Sequence, residues 1–252
     1  LRASLKSIAD FGVTGAGSSD ESTAVAAMIA AHNYLYVPAG FTVQCKNIAL
    51  ADNTLVVVEG KLKLPSGCAD FDRMLYATNK ANVRLYINEI DGNAAGQAGS
   101  IGTHLVYMTG CTYPVVRLEY VHDHYTASGA AMPSTDGIRN TSSGPIFLQA
   151  ATRAALHVGY LSGWGREGIY LLDCTACEAG VRHAIATGNT EYSGIQVGGT
   201  YNHILYATVD GAAGSAVGFD TSYGTVSNVV ARNTRANHGL NFGHPGKPAT
   251  GS

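Results

Sequence analysis

Two acidic residues occupy matching positions in a repeated phrase of this 252-residue chain. The phrase is a polar residue followed by Gly-Ile or a close variant, and Asp136 and Glu167 precede Gly137 and Gly168 in two copies. If the copies lie on neighbouring strands, the two carboxyl groups are about 4.8 Å apart along the sheet. Glycosidases hold two carboxyl groups about 5–5.5 Å apart for retention and about 6.5–9.5 Å apart for inversion. Asp136 and Glu167 are therefore predicted to be the acid and the base or nucleophile of glycoside cleavage.

Neighbouring residues extend this candidate catalytic group. Glu191, just before the next copy of the phrase, is a third candidate catalytic carboxylate. Two stacked carboxylates repel each other, so the site needs a shared proton or a cation. Arg139 and Arg166 are close enough in sequence to supply positive charge and to bind substrate carboxylates or hydroxyls. The alternative is that both paired acids are ordinary corner residues, solvated in turns.

A second candidate constellation is His122-Asp123-His124-Tyr125. On a strand, His122 and His124 point to one face and Asp123 to the other, so a metal site would need a ligand from elsewhere. No metal or other cofactor is predicted. Histidine and tyrosine together could instead act as base and acid of a β-eliminating lyase, which removes a proton next to a uronate carboxylate. His122, His124 and Tyr125 are therefore candidate substrate-binding residues, and the alternative is a hydrogen-bonding surface corner.

Aromatic side chains near Glu167 are suited to sugar binding. A pyranose ring presents an apolar C–H face that stacks on an aromatic ring, while its hydroxyls need polar partners. Trp164 and Tyr170 flank Glu167, and Tyr192 and Tyr201 follow one repeat later. We predict Trp164, Tyr170 and Tyr192 as substrate-binding residues, although core packing or subunit contacts could use the same rings.

The elements that must position these residues are repeated. Six segments end on the same short phrase: an aliphatic residue, an Ala or a Thr comes first, and a polar residue and a turn-former follow. Successive phrases start 31, 40, 25, 23 and 25 residues apart. Such spacing is typical of a solenoid. The six phrases are Ile90-Asp91-Gly92-Asn93, Val121-His122-Asp123-His124, Leu161-Ser162-Gly163-Trp164, Ala186-Thr187-Gly188-Asn189, Val209-Asp210-Gly211-Ala212 and Thr234-Arg235-Ala236-Asn237.

Each repeat is predicted to hold two strands and a corner. Short β-branched runs at 83–87, 115–118 and 204–209 precede the turn phrases and are too short for ordinary helices. Parallel stacking of such strands buries apolar columns that no single repeat could bury alone. The second strands are predicted to open at Gly137-Ile138, Gly168-Ile169, Gly194-Ile195, Ala216-Val217 and Gly239-Leu240.

Composition excludes several classes of function. A net charge of -2 and only 13% charged residues provide no basic patch, so nucleic acid is not an expected partner. No apolar run approaches the length of a membrane span, so membrane insertion is not expected. Five cysteines cannot all pair within one chain, and Cys174 and Cys177 have no second Cys pair with which to bind zinc. We expect small buried thiols rather than a disulfide framework.

The N-terminal segment specifies one helix. Ser18-Ser19-Asp20-Glu21 has the pattern of a capping box, and Val25, Met28, Ile29 and His32 follow at helical spacing. A solenoid needs a cover over the apolar end of its first repeat, because open strand edges pair with other chains. This helix is therefore predicted to be the N-terminal cap.

The same segment resembles a known family. Ile8-Ala9-Asp10-Phe11-Gly12-Val13 with the helix start, and then Leu35-Tyr36-Val37-Pro38-Ala39-Gly40, are similar to the N-terminal motif of pectate-lyase-like right-handed parallel β-helices. The resemblance covers residues 8–43. It implies an all-β fold, a single-stranded right-handed parallel β-helix with one short N-terminal capping α-helix. We divide the chain into a cap at 1–40, a β-helix at 41–242 and a Gly/Pro tail at 243–252.

Within that superfamily the chain looks most like bacteriophage tailspikes, which combine this motif with low-charge repeats rich in Gly, Ser, Thr and Tyr. The resemblance implies a homotrimer on the virion that recognises and cleaves a bacterial surface polysaccharide, either capsule or O-antigen, with a secreted protein as the alternative. Hydrolysis is favoured over β-elimination. The rival hypothesis is a non-catalytic glycan-binding or structural β-helix, because this fold serves many functions.

Overall fold

The computed structural model describes residues 6–69, 72–97, 103–124, 144–164, 167–186, 193–234 and 239–242. Within these ranges lie two 3₁₀ helices, Ile8–Phe11 and Ala94–Gly96, and one α-helix, α1 (Ser22–His32). The strands are β1 (Ala16–Asp20), β2 (Tyr34–Val37), β3 (Thr42–Gln44), β4 (Ile48–Ala49), β5 (Leu55–Lys63), β6 (Arg73–Thr78), β7 (Arg84–Asp91), β8 (His104–Thr109), β9 (Val115–His122), β10 (Ile146–Gln149), β11 (Ala155–Ser162), β12 (Glu167–Thr175), β13 (Glu178–Ile185), β14 (Ser193–Thr200), β15 (His203–Asp210), β16 (Val217–Ser222), β17 (Thr225–Val226), β18 (Val229–Arg232) and β19 (Leu240–Phe242).

The strands form two sheets, and every pairing between described strands is parallel. Sheet A has the order β1-β3-β5-β7-β9-β11-β13-β15-β17, with β2 also paired to β5 and β18 to β15. Sheet B has the order β4-β6-β8-β10-β12-β14-β16-β19. The chain alternates between the sheets, and each pass adds a strand beside the previous one in both. This all-β, parallel architecture is consistent with a parallel β-helix, as the sequence predicts.

Columns of aliphatic side chains hold the two sheets together. Residues in register on successive strands are all buried, so each new repeat extends the same apolar core. A large aliphatic side chain contributes roughly 1.5–3 kcal/mol when it is fully buried. One column in sheet A is Val56, Leu85, Val116, Leu156, Ala179 and Ile204, and one in sheet B is Leu75, Val106, Ile146, Ile169, Ile195 and Val217. The five cysteines are also buried and free, so the expectation of buried thiols rather than a disulfide framework is confirmed.

The predicted turn phrases lie at the ends of sheet A strands, with two corrections. Asp91 pairs with His122, and the next positions in this column are Ser162, Ile185, Asp210 and Arg232. The fourth and sixth phrases were predicted too late in the chain. Thr187 was taken as the polar position in place of Ile185, two residues earlier, and Arg235 in place of Arg232, three residues earlier. The apolar Ile185 at a polar position hid the true alignment.

The predicted openings of the sheet B strands are confirmed for four repeats and wrong for one. Ile169, Ile195, Val217 and Leu240 are in register, as the Gly-Ile alignment predicts. In the preceding repeat the strand begins at Ile146, which pairs with Ile169. Pro145-Ile146 is therefore the copy of the phrase, and proline is tolerated there because the start of a strand needs no ladder N–H. Gly137 and Ile138 lie outside the described residues.

Helix α1 covers the first strands. Val25, Met28 and Ile29 are buried, and the helix contacts β2 and β4. The predicted capping box is absent; instead the Asp20 carboxylate accepts a hydrogen bond from the Ser22 backbone N–H at 3.0 Å. In the part of the chain that the structure describes, no helix is long and apolar enough to cross a membrane.

Candidate functional site

The strands of sheet A bend near their middle. Glu119 and Tyr120 of β9 are both exposed although they are neighbours, and so are Arg182 and His183 of β13. In a straight strand, neighbouring side chains point to opposite faces. The pairing of β13 with β15 shifts register at the same place. The bend therefore runs across several strands of sheet A.

A cavity of about 210 Å³ lies on sheet A at this bend, and we call it the bend groove. It crosses four successive strands, so its polar side chains come from distant parts of the sequence. The lining residues are Arg117, Leu118, Glu119, His157, Val158, Gly159, Arg182 and Tyr206.

A histidine and a tyrosine meet in the bend groove. Nδ1 of His157 lies 3.1 Å from the hydroxyl oxygen of Tyr206, two strands away. The two rings are nearly parallel, with centroids 6.1 Å apart and an interplanar angle of 21°. Tyr206 reaches His157 across Gly180, where a Cβ atom would lie only 2.6 Å from the tyrosine ring. Glycine at position 180 therefore permits the His157–Tyr206 contact.

Charged groups surround this pair. Arg117 is in register with His157 on the neighbouring strand. Gly159 of β11 is in register with Glu119 on one neighbouring strand and with Arg182 on the other. A Cβ at Gly159 would lie 2.5 Å from the backbone oxygen of Glu119 and 3.0 Å from its Oε2. The backbone and the carboxylate of Glu119 therefore pack closely over Gly159, where a larger residue would collide with them.

The pKa of His157 is lowered from its ordinary value. Partial burial is the main cause because it disfavours the charged imidazolium, and the positive charge of Arg117 adds to it. Glu178 acts in the opposite direction and is a weaker influence. His157 is therefore neutral at neutral pH, and one ring nitrogen is able to accept a proton.

Two neighbouring tyrosines, with rings tilted by 34°, lie next to groove-lining residues in the sequence. Tyr120 and Tyr160 are in register on neighbouring strands, with ring centroids 4.9 Å apart. Tyr120 is 40% exposed, so its ring is accessible from solvent. Further along the same column, Glu89 forms an ion pair of 2.6 Å with Lys61. The groove thus combines aromatic faces with donors and acceptors, which is the combination that sugars require.

The predicted His122/His124 constellation does not form. Asp123 adopts a left-handed conformation with φ 54°, which ends the strand and turns His124 away from the face that holds His122. His124 is buried and its Nε2 lies 2.7 Å from the Thr103 carbonyl oxygen; burial lowers its pKa to about 4. His122 instead contacts Glu89 at 3.1 Å and Asp123 at 2.8 Å. The expectation that both histidines share one face is wrong because it assumed an unbroken strand.

Among the described residues, one cluster could hold a metal ion. Ligand atoms of Asp91, His122 and Asp123 lie within 4.8 Å of one another. Lys61 and Lys63 approach the Asp91 carboxylate at 3.9 and 3.8 Å, so protein cations already compensate part of its charge.

Glu167 begins β12 and is 5% exposed. Ser193 is its register partner on β14, as the predicted column requires. In the preceding repeat, the residue in register with Glu167 is Gly144, because Ile146 pairs with Ile169 two residues further along both strands. A Cβ at Gly144 would lie 2.4 Å from the Glu167 carbonyl oxygen, so the two backbones are in close contact. The register that was expected to bring Asp136 beside Glu167 is therefore occupied by glycine.

The aromatic residues predicted around Glu167 have different environments. Trp164 is completely buried in the apolar core, so its ring presents no face to a sugar. Tyr170 is half-buried on the outer face of sheet B, where its ring meets Phe147 edge-on at 5.5 Å. The other predicted site residues lie outside the described residues: Tyr125, Asp136, Arg139, Arg166, Glu191 and Tyr192.

The residues of the bend groove were missed by sequence reasoning. Arg117, Glu119, His157, Arg182 and Tyr206 share no motif, because each strand contributes only one or two of them. The sequence did carry one signal for this groove. Gly159 and Gly180 occupy outward positions of sheet A at which the neighbouring strands carry large side chains. Aligning the first strand of each repeat, rather than the second, would have brought these residues together.

Comparisons with known proteins bear on the fold. No protein-family model matches the sequence, and neither does any curated protein. A crystal structure from Parabacteroides merdae ATCC 43184, named a "putative glycosyl hydrolase", is similar over 98% of each chain, with a TM-score of 0.50 and 14% identity. Similarity at this identity concerns the fold alone, because one fold hosts many activities. The chain therefore shares its overall architecture with the Parabacteroides protein.

Proposed function

We propose that this chain is a right-handed parallel β-helix of the pectate-lyase-like kind, which binds and cleaves an acidic polysaccharide in the bend groove. The observation that carries the proposal is the 3.1 Å contact between His157 and Tyr206, in a groove that also holds Arg117 and Arg182. A base, an acid and positive charge are what β-elimination from a uronate requires.

The two arginines favour an acidic substrate. The guanidiniums of Arg117 and Arg182 offer planar forks of donors that match a carboxylate. A carboxylate held by positive charge makes the neighbouring C–H more acidic, because the charge that develops on proton removal is stabilised. Tyr120 and Tyr160 supply a stacking surface for an adjoining sugar. The substrate class is therefore a uronate-containing polysaccharide.

The pair His157 and Tyr206 can carry both proton transfers. With its proton on Nδ1, His157 donates to the Tyr206 oxygen and leaves Nε2 free to take the proton from C5 of the uronate. The electrons of that C–H bond form the C4–C5 double bond, and the C4–O4 bond breaks. The Tyr206 hydroxyl protonates the departing O4 and then recovers a proton from Nδ1. His157 ends neutral in its other tautomer, and exchange with water restores the first.

Glycoside hydrolysis, which the sequence favoured, is the second candidate. It is supported by the name of the Parabacteroides protein and by Glu119, a carboxylate in the groove. Hydrolysis by the usual route needs two carboxyl groups. Among the lining residues of the bend groove, Glu119 alone is acidic. This geometry suits elimination better.

The test is incubation with polygalacturonate, alginate, hyaluronan and purified bacterial capsules and O-antigens. Elimination yields an unsaturated product that absorbs in the ultraviolet, whereas hydrolysis yields reducing ends without this absorbance. We expect His157→Ala and Tyr206→Phe each to lower the rate at least about a hundredfold. His203→Gln is the matched control, because His203 bonds Thr225 at 2.7 Å and is not among the groove-lining residues. Reducing ends without ultraviolet absorbance would select hydrolysis.

The biological setting we propose is a bacteriophage tailspike: a homotrimer on the virion that binds capsule or O-antigen. The support is the N-terminal resemblance over residues 8–43 and the low charge of the repeats. Sedimentation equilibrium tests the trimer, and binding to whole bacteria with and without capsule tests the partner. A stable monomer that binds no encapsulated strain would contradict this setting.

The rival function is a non-catalytic glycan-binding or structural β-helix. The charged and aromatic lining of the bend groove is compatible with binding alone. The distinguishing result is saturable binding of a polysaccharide with no product after prolonged incubation. In that case His157→Ala would change the affinity for the polysaccharide, and no cleavage would be measured for either the variant or the parent chain.

A further inference from the structure

One corner of the repeat is a continuous column of solvent-facing residues. This corner connects a sheet B strand to the sheet A strand that follows it. The backbone N–H of each corner residue donates to a carbonyl oxygen in the next repeat, that of the residue just before the corner residue there. All members have left-handed backbone angles, with φ between 54° and 60° in the later repeats. In chain order these later members are Tyr113, Arg153, Ala176, Tyr201 and Tyr223.

The residue types at this corner change along the column. Asn53 and Asn82 occupy it in early repeats, and the Asn82 side chain donates to Asn53 at 3.1 Å. Asparagine suits a left-handed backbone, whereas tyrosine is strained there. Nevertheless Tyr113 and Tyr201 are 49% and 51% exposed. Large rings are thus held in solvent at a position where asparagine would be easier to accommodate.

Ala176 leaves a gap in the column. Its neighbours on the two sides, Arg153 and Tyr201, are about 10 Å apart, twice the spacing of adjacent strands. Tyr201 stacks on Tyr223 with centroids 5.3 Å apart and an angle of 19°. The opposite face of Tyr201 points along the column toward the methyl group of Ala176. A notch over Ala176 therefore lies between the side chain of Arg153 and the ring of Tyr201.

Arg153 is held in place at its end of the notch. Its Nη1 donates to the hydroxyl of Tyr113, and its guanidinium lies 5.4 Å from the centre of that ring. An arginine has five N–H donors, so others are available toward the notch. Tyr113 has Arg153 and Asn82 as its neighbours in the column, so no gap adjoins it, and this makes Tyr113 a control for Tyr201.

We propose that the notch formed by Arg153, Ala176 and Tyr201 binds a single pyranose unit of a glycan. The C–H face of the sugar stacks on Tyr201, and Arg153 donates to a hydroxyl or carboxylate. The gap of about 10 Å, less the thickness of the flanking groups, fits one sugar ring and excludes a folded polypeptide. Thr175, exposed beside Ala176, offers a further hydroxyl.

This site is separate from the bend groove. Arg153 precedes His157 by four residues of extended chain, about 13 Å. A polysaccharide that binds both places would gain affinity from the linkage between them, because the second contact becomes intramolecular. Sugar binding in the notch requires no catalysis, so it is measurable even if the proposed cleavage is wrong.

The test is ¹⁹F NMR of the full chain labelled with 3-fluorotyrosine. The Tyr201 signal is assigned by its disappearance in Tyr201→Asn, and the Tyr113 signal likewise in Tyr113→Asn. Sodium glucuronate and methyl β-glucoside are the two titrants. We expect a saturable shift of the Tyr201 signal with a Kd on the order of 1–10 mM for at least one sugar, and no saturable shift of the Tyr113 signal.

Ala176→Asn provides the decisive variant. Asparagine is the residue that other repeats use at this corner, so the variant should melt at the same temperature as the parent chain or higher. Its side chain fills the notch, and we expect sugar binding at Tyr201 to weaken at least about tenfold. Absence of a saturable Tyr201 shift with both sugars, or an unchanged Kd in Ala176→Asn, would overturn the proposal. Cleavage of short substrates in the bend groove should be unaffected by the same variant, which separates this proposal from the proposed function.

Discussion

A methyl group at position 180 should separate the two proposed proton carriers without removing either. Gly180 lies under the ring of Tyr206, and an added Cβ would be 2.6 Å, 2.7 Å and 2.9 Å from Cζ, Cε1 and Cε2. These atoms belong to the far end of a side chain, so the ring moves rather than the backbone. The φ of Gly180 is not in the left-handed region, and alanine therefore fits the strand itself.

The size of the effect follows from these distances. Ordinary van der Waals contact begins near 3.4 Å, so the ring must retreat by about 0.8 Å from its present 2.6 Å. The Tyr206 hydroxyl moves with the ring, and its 3.1 Å contact with His157 lengthens beyond hydrogen-bond range. A misplacement of about 1 Å can cost about a hundredfold in rate. We therefore expect Gly180→Ala to lower kcat about a hundredfold with little change in KM.

The assay is the initial rate of unsaturated-product formation on whichever polysaccharide the protein cleaves. Gly198→Ala is the matched control, because a Cβ there meets its nearest atoms at 3.7 and 3.8 Å, which is ordinary contact. Both variants should melt within a few degrees of the parent protein. A Gly180→Ala protein with full activity would refute the roles given to His157 and Tyr206, and so would an equal loss in Gly198→Ala.

Other properties are open to test. Burial lowers the pKa of His104 to about 3 and that of His124 to about 4, so the unfolded chain binds these protons first as the pH falls below about 6.5. The free energy of unfolding should therefore be highest above about pH 6.5 and should decline toward pH 4. Urea titrations at several pH values give the number of protons taken up on unfolding, and His124→Gln should lower that number by about one. All five cysteines are buried, so iodoacetamide should modify none in the folded protein and five after denaturation; rapid labelling of the folded chain would contradict the core assignment. Tyr120→Ala should weaken polysaccharide binding roughly fivefold by calorimetry through the loss of about 1 kcal/mol of stacking, and unchanged affinity would exclude this ring from the site.

The repeat architecture was predictable because hydrophobic period and turn chemistry both recur. Matched Ile and Val positions predicted the register of Ile169, Ile195 and Val217, and the structure confirms it. The N-terminal helix was also predictable, since Val25 and Ile29 fall on one face. These features depend on local pattern alone.

The site was less predictable because it depends on positions where the pattern breaks. In the longest insertion, Gly137-Ile138 resembled the repeated phrase more closely than Pro145-Ile146 did, yet Ile146 is the residue in register. The left-handed backbone of Asp123 could not be read from its neighbours, and it decides where His124 points. The bend that makes Glu119 and Tyr120 face the same way is a property of stacked strands.

The most direct test of the central claim is a crystal structure of His157→Ala soaked with an acidic oligosaccharide from the cleaved polysaccharide. We predict sugar density in the bend groove, with a uronate carboxylate within hydrogen-bond distance of Arg117 or Arg182 and a glycosidic oxygen facing Tyr206. Density against sheet B beside Glu167, with the bend groove empty, would contradict the account.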